Sequence, residues 1–272
     1  MINLNVSQHN VWFWILAFLI TAASAVYQRM TGPTYPVRGT AEIGGAEQPF
    51  EFLTTEEVGN DLEIVLAAPD TALHAWVEYK RYKSHDQWSR IDLVRNDETL
   101  AASLPHQPPA GKLIYQVFAA RAEGPAVPLT AEPVIARYKG SVPGWVLLPH
   151  ILIMFAAMLI ANRAGLEALD AEGRPKRLMG TAIILLFIGG FILGPIMQRY
   201  AFGAFWTGFP FGTDLTDNKT LIAFIFWLWA WYKNRGSRSG RVWVVVAALV
   251  TLIIFLIPHS VLGSELDYTQ QT

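Results

Sequence analysis

The chain has 272 residues, of which 52% are hydrophobic and only 16% charged, where a soluble domain usually carries nearer a quarter charged residues. A formal net charge of -1 at pH 7 excludes a strongly basic nucleic-acid binder or a polybasic membrane-surface protein, and no nucleic-acid motif is present. With no cysteine, disulfides, thiolate metal sites, Cys-ligated iron–sulfur clusters and covalent c-type haem attachment within the chain are excluded.

In chain order, the first element is an apolar run from Val11 to Tyr27. Ala23-Ser24-Ala25 fits a signal-peptide cleavage site, but Met1 to Asn10 holds no Lys or Arg, so residues 1–30 are expected to be a retained anchor helix. Residues 31–141 read as a soluble β domain. Leu73–Tyr82 and Lys112–Ala119 alternate two faces, as half-buried strands do. Further strands are expected near Arg38–Ile43, Phe50–Thr54, Leu62–Leu66, Trp88–Val94 and Val134–Tyr138, separated by turn clusters such as Gly44-Gly45 and Gly59-Asn60-Asp61. Seven to nine short strands in this length predict a sandwich.

Residues 142–260 predict a four-helix membrane domain built from the runs Trp145–Ala161, Leu178–Met197, Leu221–Tyr232 and Val242–Pro258. A spanning helix needs about 17–25 residues. The short fourth run reaches that length if its helix begins near Thr216 and Lys219 snorkels toward the headgroups; a re-entrant segment is the competing expectation. The fold class expected is therefore an α-helical integral membrane protein of about five transmembrane helices with an inserted all-β sandwich. Residues 261–272 are expected to be an external tail.

Charge sets the expected orientation. Arg163, Arg174, Lys176 and Arg177 lie between the second and third runs, and Lys233, Arg235, Arg238 and Arg241 between the fourth and fifth. By the positive-inside rule these loops are cytoplasmic. The N-terminus is then also cytoplasmic, whereas the β domain, the aromatic loop 198–220 and the C-terminus are extracytoplasmic. A bacterial-type inner membrane is the expected location.

That topology brings two lone histidines, His150 and His259, to the same face as a loop carrying Phe205, Trp206, Phe209, Phe211 and Asp214. Neutral imidazole is a common axial ligand of haem iron, and aromatic side chains make suitable porphyrin walls. Met154 lies one turn beyond His150 and reads as a packing residue or a soft ligand. Asp214, Asp217 and Lys219 could meet propionates or cap the fourth helix; Thr216-Asp217-Asn218-Lys219 before an apolar run fits such a cap, and Asp217 is the expected cap. Gly190 and Gly194 form a small-xxx-small pair suited to close helix packing. His9, His74, His85 and His106 show no ligand spacing.

The order His150, two helices around an aromatic loop, then His259 resembles the haem-handling membrane proteins of cytochrome c maturation. Gly203-Ala-Phe-Trp206, Gly212-Thr-Asp214, Asp217-Asn-Lys219-Thr220 and the helix Leu221–Arg235 carry the likeness over roughly residues 150–259. It departs from that pattern in having a single loop tryptophan, in lacking the Pro and Glu around Lys219, and in its β domain. The resemblance implies haem b held non-covalently, with His150 and His259 as axial metal ligands and the loop against one porphyrin face. Separately, Leu104–Ala119 resembles the approach to the sixth strand of fibronectin type III-like domains.

No nucleophile elbow, phosphate-binding loop, dinucleotide fingerprint or zinc-protease helix is present, so an enzyme is not the expectation. The alternative to haem handling is a non-catalytic accessory or assembly subunit whose β domain docks an extracytoplasmic or membrane partner. Copper handling and transport are weaker alternatives. The lipid bilayer is an expected partner in every case; nucleic acid is not.

Overall fold

The structure, a computed structural model, describes residues 4–122, 124–235, 240–259, 261, 263 and 265–269. Arg238, counted above in a basic loop, and the side chain of His9 lie outside the described residues. The chain divides into a helical unit, residues 1–32 and 142–263, and a β unit, residues 33–141 and 264–272.

In the β unit, β1 (Val37–Ile43) and β2 (Ala46–Phe52) form a hairpin. Its turn residues Gly44 and Gly45 have φ of +57° and +82°, as a two-residue hairpin turn matched to strand twist requires. One sheet runs β3 (Thr55–Glu57), β11 (Val134–Lys139), β9 (Lys112–Arg121), β5 (Leu73–Arg81), β6 (Ser89–Asp92), with β10 (Val127–Pro128) also on β9. Another runs β4 (Leu62–Ala67), β8 (Thr99–Leu104), β7 (Val94–Asn96). Pairing is antiparallel except that β3 lies parallel to β11. Period-two burial sends Leu62, Ile64 and Leu66 inward from β4, and Leu113, Tyr115 and Val117 inward from β9. These residues join Phe52, Val77, Leu104 and Tyr138 in one core.

The run Trp88–Val94, expected as one strand, is two strands in different sheets. Leu93 between them turns inward, and its N–H donates to Ala75 O at 2.8 Å. The Thr99–Leu104 strand was missed because its small residues, Ala101, Ala102 and Ser103, blur the apolar alternation. The last described residues are not free: Leu266 N–H donates to Ala110 O at 3.0 Å, and the buried Tyr268 hydroxyl accepts from Lys112 N–H at 3.0 Å and donates to Gln107 Oε1 at 2.9 Å. The guanidinium of Arg81 covers the Tyr268 ring, and Glu265 pairs with Lys83 and Lys112.

The helical unit comprises α1 (Leu4–Thr31), α2 (Gly144–Leu169), α3 (Lys176–Leu186), α4 (Gly194–Phe202), α5 (Leu215–Lys233) and α6 (Arg241–Leu256). A π-helical stretch, Phe187–Leu193, joins α3 to α4 without a break. Among the described residues, three helical segments, Asn10–Thr31, Gly144–Leu169 and Lys176–Phe202, are long and apolar enough to cross a membrane; α6 is apolar but shorter.

Small residues set the packing. Ala157, Ala161, Ala164 and Ala168 of α2 share a core with Ala182 of α3 and Ala247 and Ala248 of α6. A Cβ on Gly165 would lie 2.6 Å from that of Ala248, so the two helices meet at a distance only small residues permit. Polar side chains pin the contacts: Asn162 Nδ2–H donates to Thr21 Oγ1 at 3.0 Å, and Trp227 Nε1–H to Thr251 Oγ1 at 2.8 Å. Arg163, expected in a loop, is instead inside α2. It is buried, bonded to Glu167 and Asn10, and lies over the rings of Phe13 and Trp14. Arg241 donates to the carbonyls of Asp170, Ala171 and Gly173, closing the end of α2.

Candidate functional site

The site is assembled around the π-helical stretch. Pro195 has no N–H for the preceding turn, and the helix widens there so that Gly194 N–H reaches back to Gly189 O. Gly189 and Gly190 let neighbouring helices approach this turn closely. A Cβ on Gly189 would fall 2.6 Å from Met154 Sδ, and one on Gly190 would fall 2.5 Å from Thr220 Cγ2. Met154 is thus seated on Gly189 as a packing residue. The same approach sets His150 Nδ1 at 3.0 Å from Gly189 O. A carbonyl only accepts, so Nδ1 carries the proton and the neutral ring keeps its lone pair on Nε2. This second-sphere bond orients a histidine for metal ligation.

His259 is held differently. The Lys219 ammonium donates to its Nδ1 at 3.3 Å and to Ile257 O at 2.8 Å, so the neutral His259 ring carries its proton on Nε2. Lys219 does not snorkel outward as expected: it is 4% exposed. The reason is the carbonyl of Ile257, left without a helical partner where α6 ends and α5 begins beside it. At His150 the neutral ring therefore offers a lone pair on Nε2, whereas at His259 the lone-pair nitrogen is occupied by Lys219.

The aromatic loop is ordered by side chains at the start of α5. Asp214, rather than Asp217, caps this helix: its Oδ1 accepts from Thr216 N–H at 2.8 Å and Asp217 N–H at 3.4 Å. Asp217 turns back and its Oδ2 accepts from Thr207 N–H at 2.7 Å and Gly208 N–H at 3.0 Å. Asn218 Oδ1 accepts from Phe209 N–H at 2.7 Å. Gly208 has room for no side chain, since its Cβ would fall 2.6 Å from that of Asp217.

Of the loop aromatics, Trp206 packs inward, stacking on Phe191 with centroids 5.6 Å apart, and Phe191 in turn meets Phe224 at 4.9 Å. Phe205, Phe209 and Phe211 face outward, 58%, 69% and 82% exposed. The structure thus joins His259 to Lys219 and seats His150 on Gly189 O, while three of the expected porphyrin-wall residues face away from the protein. The role of Gly189 O was not visible in the sequence; Gly189-Gly190 before Pro195 was its only trace.

In the β unit His74, His85 and His106 are all exposed. His106 bonds Asp61 through both its N–H and Nδ1. Asp86 is engaged by Arg81, not by His85. Among the described residues no group of three or more His, Asp or Glu side chains is placed to hold a metal ion. No protein-family model, curated protein or solved structure matches the chain.

Proposed function

We propose that this chain is an integral membrane protein that binds or handles haem non-covalently at an extracytoplasmic face. His150 and His259 would hold the haem iron. The observation that carries the reading is the hydrogen bond from His150 Nδ1–H to Gly189 O, which leaves Nε2 free to ligate. Trp206, held on Phe191, is the loop aromatic that packs toward the π-helical stretch carrying Gly189. Bound haem iron supplies one-electron chemistry or is cargo for a partner.

Five membrane crossings underlie this reading. In support, the segment 265–269 hydrogen-bonds within the β unit, in keeping with a chain that comes back after α6 to the side it left at α2. An even number of crossings achieves this: α2, the continuous α3–α4 helix, α5 and α6. This favours a spanning α5 over a re-entrant one. Its 19 residues make about 28 Å of helix at 1.5 Å per residue. Basic residues Arg174, Lys176, Arg177, Lys233 and Arg235 then mark the cytoplasmic side of a bacterial-type inner membrane. The opposed strand orders β4-β8-β7 and β3-β11-β9-β5-β6 support an immunoglobulin-like or fibronectin-like sandwich outside it.

Purified full-length protein titrated with haem should develop a Soret band with low-spin visible bands. His259→Ala should convert it to a high-spin spectrum, and His150→Ala should abolish it. Absence of a Soret shift in the wild type overturns the reading. A second reading, an accessory subunit of a membrane complex, draws on the outward Phe205, Phe209 and Phe211, which offer an ordered apolar surface to a partner. Co-purification of a stable complex that survives His150→Ala without haem would favour it.

A further inference from the structure

Lys219 is a buried cation with only neutral hydrogen-bond partners. Its ammonium has three donors; Ile257 O and His259 Nδ1 take two, and no carboxylate ion-pairs with it among the described residues. Asp214, five residues earlier, acts on it through space while its Oδ1 caps α5. A buried ammonium is costly unless an anion compensates it, and one of its two hydrogen-bond partners, the Ile257 carbonyl, is an acceptor without a helical partner at the end of α6. The second neutral partner is a histidine of the proposed haem site.

We propose that Lys219 is the anchor for a ligand carboxylate, and on haem for a propionate. The inference rests on the haem reading above. On binding, Lys219 exchanges His259 Nδ1 for a carboxylate oxygen, keeping its own proton and its bond to Ile257 O. The exchange opens the Nδ1 lone pair of His259, while Nε2 keeps its hydrogen. Anchoring the carboxylate and releasing the second imidazole are thereby one event, so a ligand without a free carboxylate meets a His259 still held by Lys219. No bond to carbon forms and no electron moves in this exchange.

The test uses the full chain in detergent and three probes: iron protoporphyrin IX, its dimethyl ester, and metal-free protoporphyrin IX. Tryptophan fluorescence quenching reports affinity and the Soret band reports ligation. Wild type should bind the free acid roughly 10- to 100-fold more tightly than the ester, the value of one charge-assisted hydrogen bond. The metal-free porphyrin should show the same preference over its own ester. Lys219→Met should abolish the preference and Lys219→Arg should keep it. Equal affinity for acid and ester in the wild type, with a normal Soret shift, overturns this inference and leaves the haem reading standing. Neither quenching nor a Soret shift overturns both. Because the acid–ester comparison is made on the wild type, it holds even if a variant fails to fold.

Discussion

Replacing Asp217 by Ala removes the acceptor on which the aromatic loop closes. Its Oδ2 receives Thr207 N–H at 2.7 Å and Gly208 N–H at 3.0 Å, and Asp217 is buried, so water does not readily replace it. Hydrogen bonds to a charged group contribute about 1.5–3 kcal/mol each. Taking the lower figure twice, opening of this loop becomes easier by about 3 kcal/mol, or roughly 150-fold at 1.4 kcal/mol per tenfold. Amide hydrogen exchange resolved to single residues is the assay, since it reads local opening directly. Thr207 and Gly208 should exchange about 150-fold faster in Asp217→Ala. Asp217→Asn, which keeps a neutral acceptor, should show roughly a tenth of that acceleration. Amides within α2 should not change. Unaltered protection at Thr207 and Gly208 in Asp217→Ala would refute the clasp and the view that α5 organises the loop.

Two further outcomes concern the β unit. Tyr268→Phe strips the hydroxyl shared by Lys112 N–H and Gln107 Oε1 and should lower thermal stability of the strand signal by about 1–2 kcal/mol; an unchanged midpoint would mean the C-terminal segment does not dock as described. Asp86 is held down at about 2 by hydrogen bonds from the Arg81 guanidinium, against an ordinary value of 3.8. Since the folded value is the lower one, its stabilisation is fully present above the ordinary value and is lost as pH falls through about 2. Asp86→Asn should therefore flatten the decline of the strand-signal melting midpoint across that window, by a small amount because the pair is half-exposed. Parallel pH curves for wild type and variant would contradict it.

Local pattern made much of the architecture legible. Alternation in Leu73–Tyr82 and Lys112–Ala119 marked β5 and β9 because a half-buried strand must alternate. Apolar length alone marked α1, α2 and the long helix through Met197. The strand Thr99–Leu104 was not legible, since Ala and Ser carry little periodic signal. The candidate pair His150 and His259 was visible as two imidazoles at helix ends, and Asp217 as an acidic residue near a helix start.

What those residues bond to was decided only by packing. Asp214 took the cap and freed Asp217 to hold the loop, a choice between two carboxylates three residues apart that depends on where Thr207 and Gly208 arrive. Arg163 went into the helix bundle because Asn10, Phe13, Trp14 and Glu167 converge on it from two helices. His150 and His259 look equivalent in sequence, yet one donates to Gly189 O and the other accepts from Lys219. An imidazole's tautomer is set by its neighbour, and these neighbours are 39 and 40 residues away along the chain. Sequence determined which groups could carry chemistry; only the tertiary structure decided which ring nitrogen each presents.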